Sequence, residues 1–148
     1  MKALQGISAS SGIVISKVYK IAALAEKIRK KQVEDVDSEV SKLNEALKKS
    51  KDDIHLLKEK TLKECGEDEA AIFEAHSLLL DDPEILDRAV KKIQSEKINA
   101  SFVISELSFE YGQMFEQMDD DYLKARGADI KDVYSRVIDH LELSLIHI

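Results

Sequence analysis

The segment from Glu69 to Ile85, EAAIFEAHSLLLDDPEI, combines several acids and one histidine with a run of aliphatic residues. A histidine among carboxylates suggests general acid–base catalysis, which requires a group with a shifted pKa in an enclosed pocket. The sequence around His76 gives no sign of such a pocket. We therefore expect His76 to lie on a helix face with a local hydrogen bond, and we look for function among the acids.

Acidic residues are concentrated in the range Glu64–Asp87, which contains nine acids and no lysine or arginine. Acids favoured in the first turn of a helix explain part of this excess. Four positions share one face of a predicted helix because they recur at steps of four and three residues: Glu67, Ala71, Glu74 and Leu78. Such a stripe is typical of a surface that docks a basic partner with a small apolar centre, although Glu67 and Glu74 could also form an acid–base pair.

Motifs for other chemistries are missing from the sequence. The four histidines lack metal-ligand spacing, no serine lies at a glycine-flanked turn between strand and helix, and no glycine-rich loop could hold a phosphate. The single Cys65 has no cysteine partner, so we expect an incidental thiol in a reducing cytoplasm. The sequence thus predicts no catalytic residue and no metal site.

The composition predicts a folded helical protein. The chain has 148 residues, of which 44% are hydrophobic and 34% charged, with one proline and five glycines. A net charge of −7 argues against nucleic acid and anionic membranes as partners and favours a basic protein. Because no signal peptide and no run of roughly 18 apolar residues occurs, we expect a cytoplasmic protein without membrane insertion.

Hydrophobic periodicity predicts a mainly α fold: an antiparallel bundle of four to five helices preceded by a short strand segment. Two short strands are expected within residues 1–20, followed by a helical unit over 21–143 and a non-native tail over 144–148. Apolar residues spaced three and four apart from Val33 to Leu57 form a narrow apolar stripe, the seam, of a first long helix. Further helices are expected over Cys65–Leu80, over Pro83–Glu96 after the N-cap Asp82, from the N-cap Asn99 to Met118, and over Ile130–Leu141. The segment DDDYLKARGAD is expected to interrupt the helical pattern between the last two of these helices.

Three motifs carry a family resemblance: GISASSGI, EDEAAIFEAHSLLLDDPEI and MDDDYLKARGADIKDVYSRVI. In this order and spacing they closely resemble the N-terminal part of Enzyme I of the bacterial phosphotransferase system, a phosphoenolpyruvate–protein phosphotransferase. The resemblance extends over nearly the whole chain up to Leu141. Ser11 departs from the family, which usually has proline at this turn.

The resemblance implies a helical subdomain that binds the phosphocarrier protein HPr, beside an α/β subdomain to which the first strand belongs. In the family the phosphorylated histidine lies in a GGxxSHxAI-type motif, which this sequence does not contain. In complete proteins of the family, a C-terminal barrel binds phosphoenolpyruvate and Mg²⁺ and forms the homodimer interface. We therefore expect a truncated chain that needs no cofactor, binds HPr and does not phosphorylate itself.

The resemblance also implies a set of HPr-binding residues around His76. Charge is expected from Glu67, Asp68, Glu74, Asp82 and Glu84. The apolar centre is expected from Ala71, Leu78, Leu79 and Ile85, and the face is completed by Phe115, Tyr122, Leu123 and Arg126. The alternative is a non-enzymatic scaffold or oligomerisation module that uses the Val33–Leu57 seam. Whether the chain belongs to a sugar or a nitrogen-linked system stays open.

Overall fold

The computed structural model describes residues 28–146, and their side chains except those of 122, 123 and 144–146. Within this range five helices follow one another: α1 (Val36–Glu64), α2 (Glu67–Leu80), α3 (Pro83–Glu96), α4 (Ala100–Glu116) and α5 (Asp121–Ile146). The predicted mainly α architecture is confirmed. The expected strands of residues 1–20 lie outside the described residues. Within residues 28–146, extended pairing is limited to one antiparallel bridge between Gln32 and Ile98.

Capping residues explain where the helices begin. Asp35 accepts a hydrogen bond from the Ser38 N–H at 2.9 Å and starts α1. Asp82 starts α3 by accepting from the Glu84 N–H at 2.9 Å, and Pro83 occupies the first helical position, as predicted. Between α1 and α2 the chain turns through Gly66, whose φ of +117° lies in a region that favours glycine.

The predicted seam of α1 forms one wall of the core. Its middle positions, Leu43, Leu47, Ser50 and Ile54, are buried, and the Ser50 hydroxyl donates to the Ala46 carbonyl at 2.9 Å. The other walls are fully buried residues of α3, α4 and α5: Ala89, Ile93, Val103, Ile104, Val133 and Val137. Because the seam is covered by the other helices, it is not a free surface for self-association.

The predicted interruption at DDDYLKARGAD is real but too long: α4 ends at Glu116, and α5 already begins at Asp121 and continues through Gly127. Gly127 is buried where α5 packs closely against α4. A Cβ atom at this position would lie 2.8 Å from the Gly112 carbonyl oxygen and 3.3 Å from the Glu116 nitrogen. Gly127 is thus required by the approach of two helix backbones and does not end a helix.

Asn99 occupies the N-cap position of α4, as predicted, but its side chain makes no capping hydrogen bond. Instead, the side-chain oxygen Oδ1 of Asn99 accepts a hydrogen bond from the Lys31 N–H at 2.8 Å, and the side-chain nitrogen Nδ2 donates one to the Arg29 carbonyl at 3.2 Å. The buried Glu39 of α1 accepts from the Ala100 N–H at 2.9 Å in its place. These bonds fasten the segment before α1 to the start of α4.

We predict that Gly127→Ala lowers the free energy of unfolding by about 1–3 kcal/mol, because the added methyl group meets backbone atoms that cannot move independently. Gly112→Ala is the matched control. Its methyl group meets chiefly the Lys131 side chain, at 2.7 Å from Cε, which can rotate away. The higher helix propensity of alanine, worth about 1 kcal/mol, would offset the remaining strain. Urea denaturation measures both, and equal losses would contradict the prediction.

A second prediction concerns Tyr134, whose buried hydroxyl donates to the Leu79 carbonyl at 2.8 Å and joins α5 to the end of α2. Burial raises the pKa of Tyr134 well above its usual range, with a further contribution from the Asp82 charge. Because the folded pKa is raised, this contribution to stability is complete below the unfolded pKa of about 10 and is lost at higher pH. We expect stability to fall above about pH 10, and to fall less in Tyr134→Phe.

At neutral pH, Tyr134→Phe should lose about 1 kcal/mol with the hydrogen bond. Tyr111→Phe is the comparison, because burial raises the pKa of Tyr111 while its hydrogen bond from Arg88 opposes that rise. Thermal unfolding at a series of pH values measures both variants. An alkaline loss that is unchanged in Tyr134→Phe would refute the assignment.

Candidate protein-docking surface

An exposed stripe of α2 combines acids with apolar residues. Glu67, Ala71, Glu74 and Leu78 are all exposed, as their spacing predicted, and Leu78 is 67% accessible. Ile72, which the sequence reasoning missed, adds an aliphatic side chain that is 47% exposed. Its spacing of four residues from Asp68 could have indicated this position. We define the α2 face as these exposed residues: Glu67, Asp68, Ala71, Ile72, Glu74 and Leu78.

His76 lies opposite the stripe of Glu67, Ala71, Glu74 and Leu78 and is 8% exposed. Its ring meets Phe73 edge to face, with centroids 5.9 Å apart, and its Nε2 lies 3.5 Å from Asp129 Oδ1 of α5. This buried nitrogen has no hydrogen-bond partner among the described residues, so the expected local hydrogen bond is not made by Nε2. His76 therefore supports the α2 face from beneath and is not accessible to a partner.

Lysines of α1 neutralise part of the acidic run. Lys58 Nζ lies 3.4 Å from Glu74 Oε2, and Lys51 pairs with Asp81 directly after α2. Counting charges along the sequence missed these lysines because α1 reaches the acids only through tertiary packing. The first-turn acids Glu67, Asp68 and Glu69 have no ion pair within the described part of the chain.

Several expected site residues between α2 and α3 have structural roles. Ile85 is 4% exposed and belongs to the core, so it cannot form part of an exposed apolar centre. Leu79 is half-buried and packs against the same core. Asp82 is half-buried and accepts the capping hydrogen bonds of α3. Of the residues expected from this segment, only Glu84 is exposed.

Glu84 belongs to a hydrogen-bonded group on α3 and α4 that the sequence reasoning did not predict. Its Oε1 accepts from the Tyr111 hydroxyl at 3.1 Å. Arg88 donates to the same hydroxyl at 2.9 Å and to Glu110 at 2.9 Å. These two hydrogen bonds raise the pKa of Arg88. In the sequence, only the spacing of four residues between Glu84 and Arg88 indicates that Arg88 lies near Glu84 on the same face of α3.

The remaining expected residues lie where α4 ends and α5 begins. Phe115 is half-buried against the core and Arg126 is half-buried in α5. Tyr122 and Leu123 lie in the first turn of α5. The contact between His76 and Asp129 brings α2 beside this part of α5. α2 and the N-terminal part of α5 are therefore neighbours in the bundle.

Two further possibilities for residues 28–146 are a metal-binding group and a helix that spans a membrane. No group of three or more histidine, cysteine, aspartate or glutamate side chains in this range could hold a metal ion. None of the helices described here combines the length and apolar character needed to cross a membrane.

Comparison with known proteins identifies the family. Residues 5–126 match the family described as "PEP-utilising enzyme, N-terminal", and the chain belongs to this family. It is 44% identical over 140 residues to phosphoenolpyruvate-protein phosphotransferase of Geobacillus stearothermophilus, covering 95% of this chain and 24% of that protein. The corresponding protein of Bacillus subtilis is 45% identical over 141 residues, covering 95% and 25%. The chain therefore spans about a quarter of the length of these relatives.

Solved structures agree with the fold. An NMR structure of Enzyme I (nEIt) superposes with a TM-score of 0.73 at 34% identity, covering 76% of this chain and 46% of that one. The N-terminal domain of "Enzyme 1 - Nitrogen" gives the same TM-score of 0.73 at 21% identity, covering 79% and 49%. At that identity the second match supports the fold alone. The family resemblance inferred from the three motifs is confirmed.

We predict that Asp82→Ala destabilises the protein by about 1 kcal/mol, because the first turn of α3 loses its capping acceptor. Asp82→Asn removes the charge but keeps an oxygen that can accept the same hydrogen bonds, so its stability should be close to that of the wild type. Thermal denaturation compares the two. Equal destabilisation would mean that the charge of Asp82, rather than its capping bonds, stabilises the structure.

Proposed function

We propose that the α2 face, together with the adjoining ends of α4 and α5, docks the phosphocarrier protein HPr. The observation that carries this proposal is the exposure of Ile72 and Leu78 on a helix whose first-turn acids Glu67 and Asp68 form no ion pair with another described residue. Exposed aliphatic side chains of this size on a helix are suited to a small apolar patch, and the acids to the basic residues around it. The comparisons supply the family in which such a partner is expected.

The charges and the apolar residues would have different effects on the complex. The first-turn acids Glu67 and Asp68 would attract a basic partner and accelerate association, an effect that salt screens. Ile72 and Leu78 would lose water on binding and slow dissociation. The half-buried Phe115 and Arg126, with Tyr122 and Leu123, would extend the contact towards α5. Ile85 is left out of the proposed surface because it is buried.

Within the complete protein, we infer a cytoplasmic enzyme that transfers a phosphoryl group from phosphoenolpyruvate through its own histidine to HPr. In such a reaction the helical bundle would hold HPr so that the two histidines meet, which lowers the barrier by positioning. Mg²⁺ and a homodimeric state are inferred for the complete protein. No group of side chains among the described residues fits a metal ion.

A scaffold or oligomerisation module built on the Val33–Leu57 seam receives no support. The middle of the seam is buried inside the bundle by the other four helices, so a second chain could reach it only if the protein unfolded. Sedimentation velocity would check this point, since a scaffold should associate with rising concentration in the absence of HPr.

We predict that Leu78→Ala weakens HPr binding about five- to thirty-fold, the range of an interface side chain that contributes roughly 1–2 kcal/mol. Because Leu78 is 67% exposed, the variant should remain folded. Leu56→Ala is the matched control, since Leu56 is 62% exposed but lies on α1 outside the α2 face. Its affinity for HPr should equal that of the wild type.

The measurement is a titration of isotope-labelled protein with HPr, following amide shifts at low salt and again at 0.5 M salt. Shifts concentrated in α2 and weakened by salt are expected. If the folded wild-type chain shows no shifts at low salt, the docking proposal fails. It also fails if Leu56→Ala weakens the complex as much as Leu78→Ala does.

A further inference from the structure

The two ion pairs between α1 and α2 follow a shared spacing. Lys51 and Lys58 are seven residues apart, as are their partners Asp81 and Glu74, so the pairs recur every two helical turns. Both lysine side chains are 38% exposed, and the paired carboxylates are 61% and 70% exposed. Both carboxylates therefore remain open to solvent, and to a partner, while each is already bound by a lysine of the same chain.

Glu74 is the acid at which this pairing affects docking. It belongs to the α2 face and lies four residues before the exposed Leu78. A cationic group of a partner that approaches Leu78 would meet a carboxylate whose charge is partly neutralised by Lys58. Electrostatic repulsion between that partner cation and the Lys58 ammonium would weaken the contact between Lys58 and Glu74.

We propose that Lys58 is an internal competitor for the docking partner: it holds Glu74 in the free protein and releases it when a partner cation binds. This inference rests on the proposed HPr-docking function and adds a residue that tunes it. Exposed ion pairs contribute little, about 0.2–1 kcal/mol, so the competition weakens docking by a modest factor. Removal of the lysine should therefore tighten the complex by about 1.4- to 5-fold.

Lys58→Met tests this inference, since methionine keeps a long apolar stem and removes the charge. Lys60→Met is the matched control: Lys60 is exposed on the same helix, and the described residues offer it no ion-pair partner. Both variants make the chain more acidic by one unit. We expect tighter HPr binding in Lys58→Met than in Lys60→Met, measured by isothermal titration calorimetry at low salt.

Two further readouts separate competition from a structural effect. In a Glu74→Gln background, Lys58→Met should no longer tighten binding, because the contested carboxylate is gone. The affinity of Lys58→Met should also fall more steeply with salt than that of the wild type, because docking now adds an ion pair instead of exchanging one. A Lys58→Gln variant repeats the test if the methionine variant folds poorly.

The outcomes distinguish this inference from the function on which it rests. If the wild type does not bind HPr at low salt, the proposed function is refuted. If the wild type binds but Lys58→Met and Lys60→Met tighten the complex equally, a general charge effect accounts for the data and the competitor role is overturned. Persistence of the Lys58→Met effect in the Glu74→Gln background would overturn it as well.

Discussion

The bundle depends on the close packing of α4 against α5. At Gly112 and Gly127 the helix backbones approach so closely that a Cβ on Gly127 would lie 2.8 Å from a carbonyl oxygen. Gly127 permits this contact within the continuous helix α5, which begins at Asp121. The start of α5 is thereby held beside the end of α4, and Asp129 reaches the buried His76 of α2. The docking region that we propose would thus combine three helices that are separate in the sequence.

Burial and charge are distributed on α2 in a way that fits docking better than catalysis. One side of the helix carries Ala70, His76 and Leu80 into the interior, while the α2 face remains open to solvent. His76 is one of the most tightly enclosed polar residues of the helix, so a role in proton transfer to an external partner has no structural basis. The acids that the sequence groups together differ in their surroundings, since some are paired with α1 and others are not.

Features that depend on neighbours in the sequence could be predicted. The seam of α1, the start of α3 at Asp82 and Pro83, and the exposed stripe of α2 all follow from local spacing and capping chemistry. The family also followed from three local motifs. These predictions required no knowledge of how the helices pack against each other.

Features that depend on tertiary packing could not be predicted. Lys58 meets Glu74 across 16 residues of sequence and Lys51 meets Asp81 across 30, so a count along the chain treated both acids as free. Gly127 looked like a helix break because its contact lies on another helix. Ile85 looked like part of an exposed apolar centre, although the helices packed around it cover it. In each case the deciding neighbour comes from a distant part of the chain.

The repeated spacing of the α1–α2 ion pairs also bears on how the hairpin finds its alignment during folding. Apolar side chains alone tolerate a shift of one helix along the other by a full turn, about 5.4 Å, because similar residues then meet again. Such a slip would separate Lys51 from Asp81 and Lys58 from Glu74 at the same time. The two ion pairs therefore favour the observed register of α1 against α2 over registers shifted by one turn, even though each pair adds little to stability.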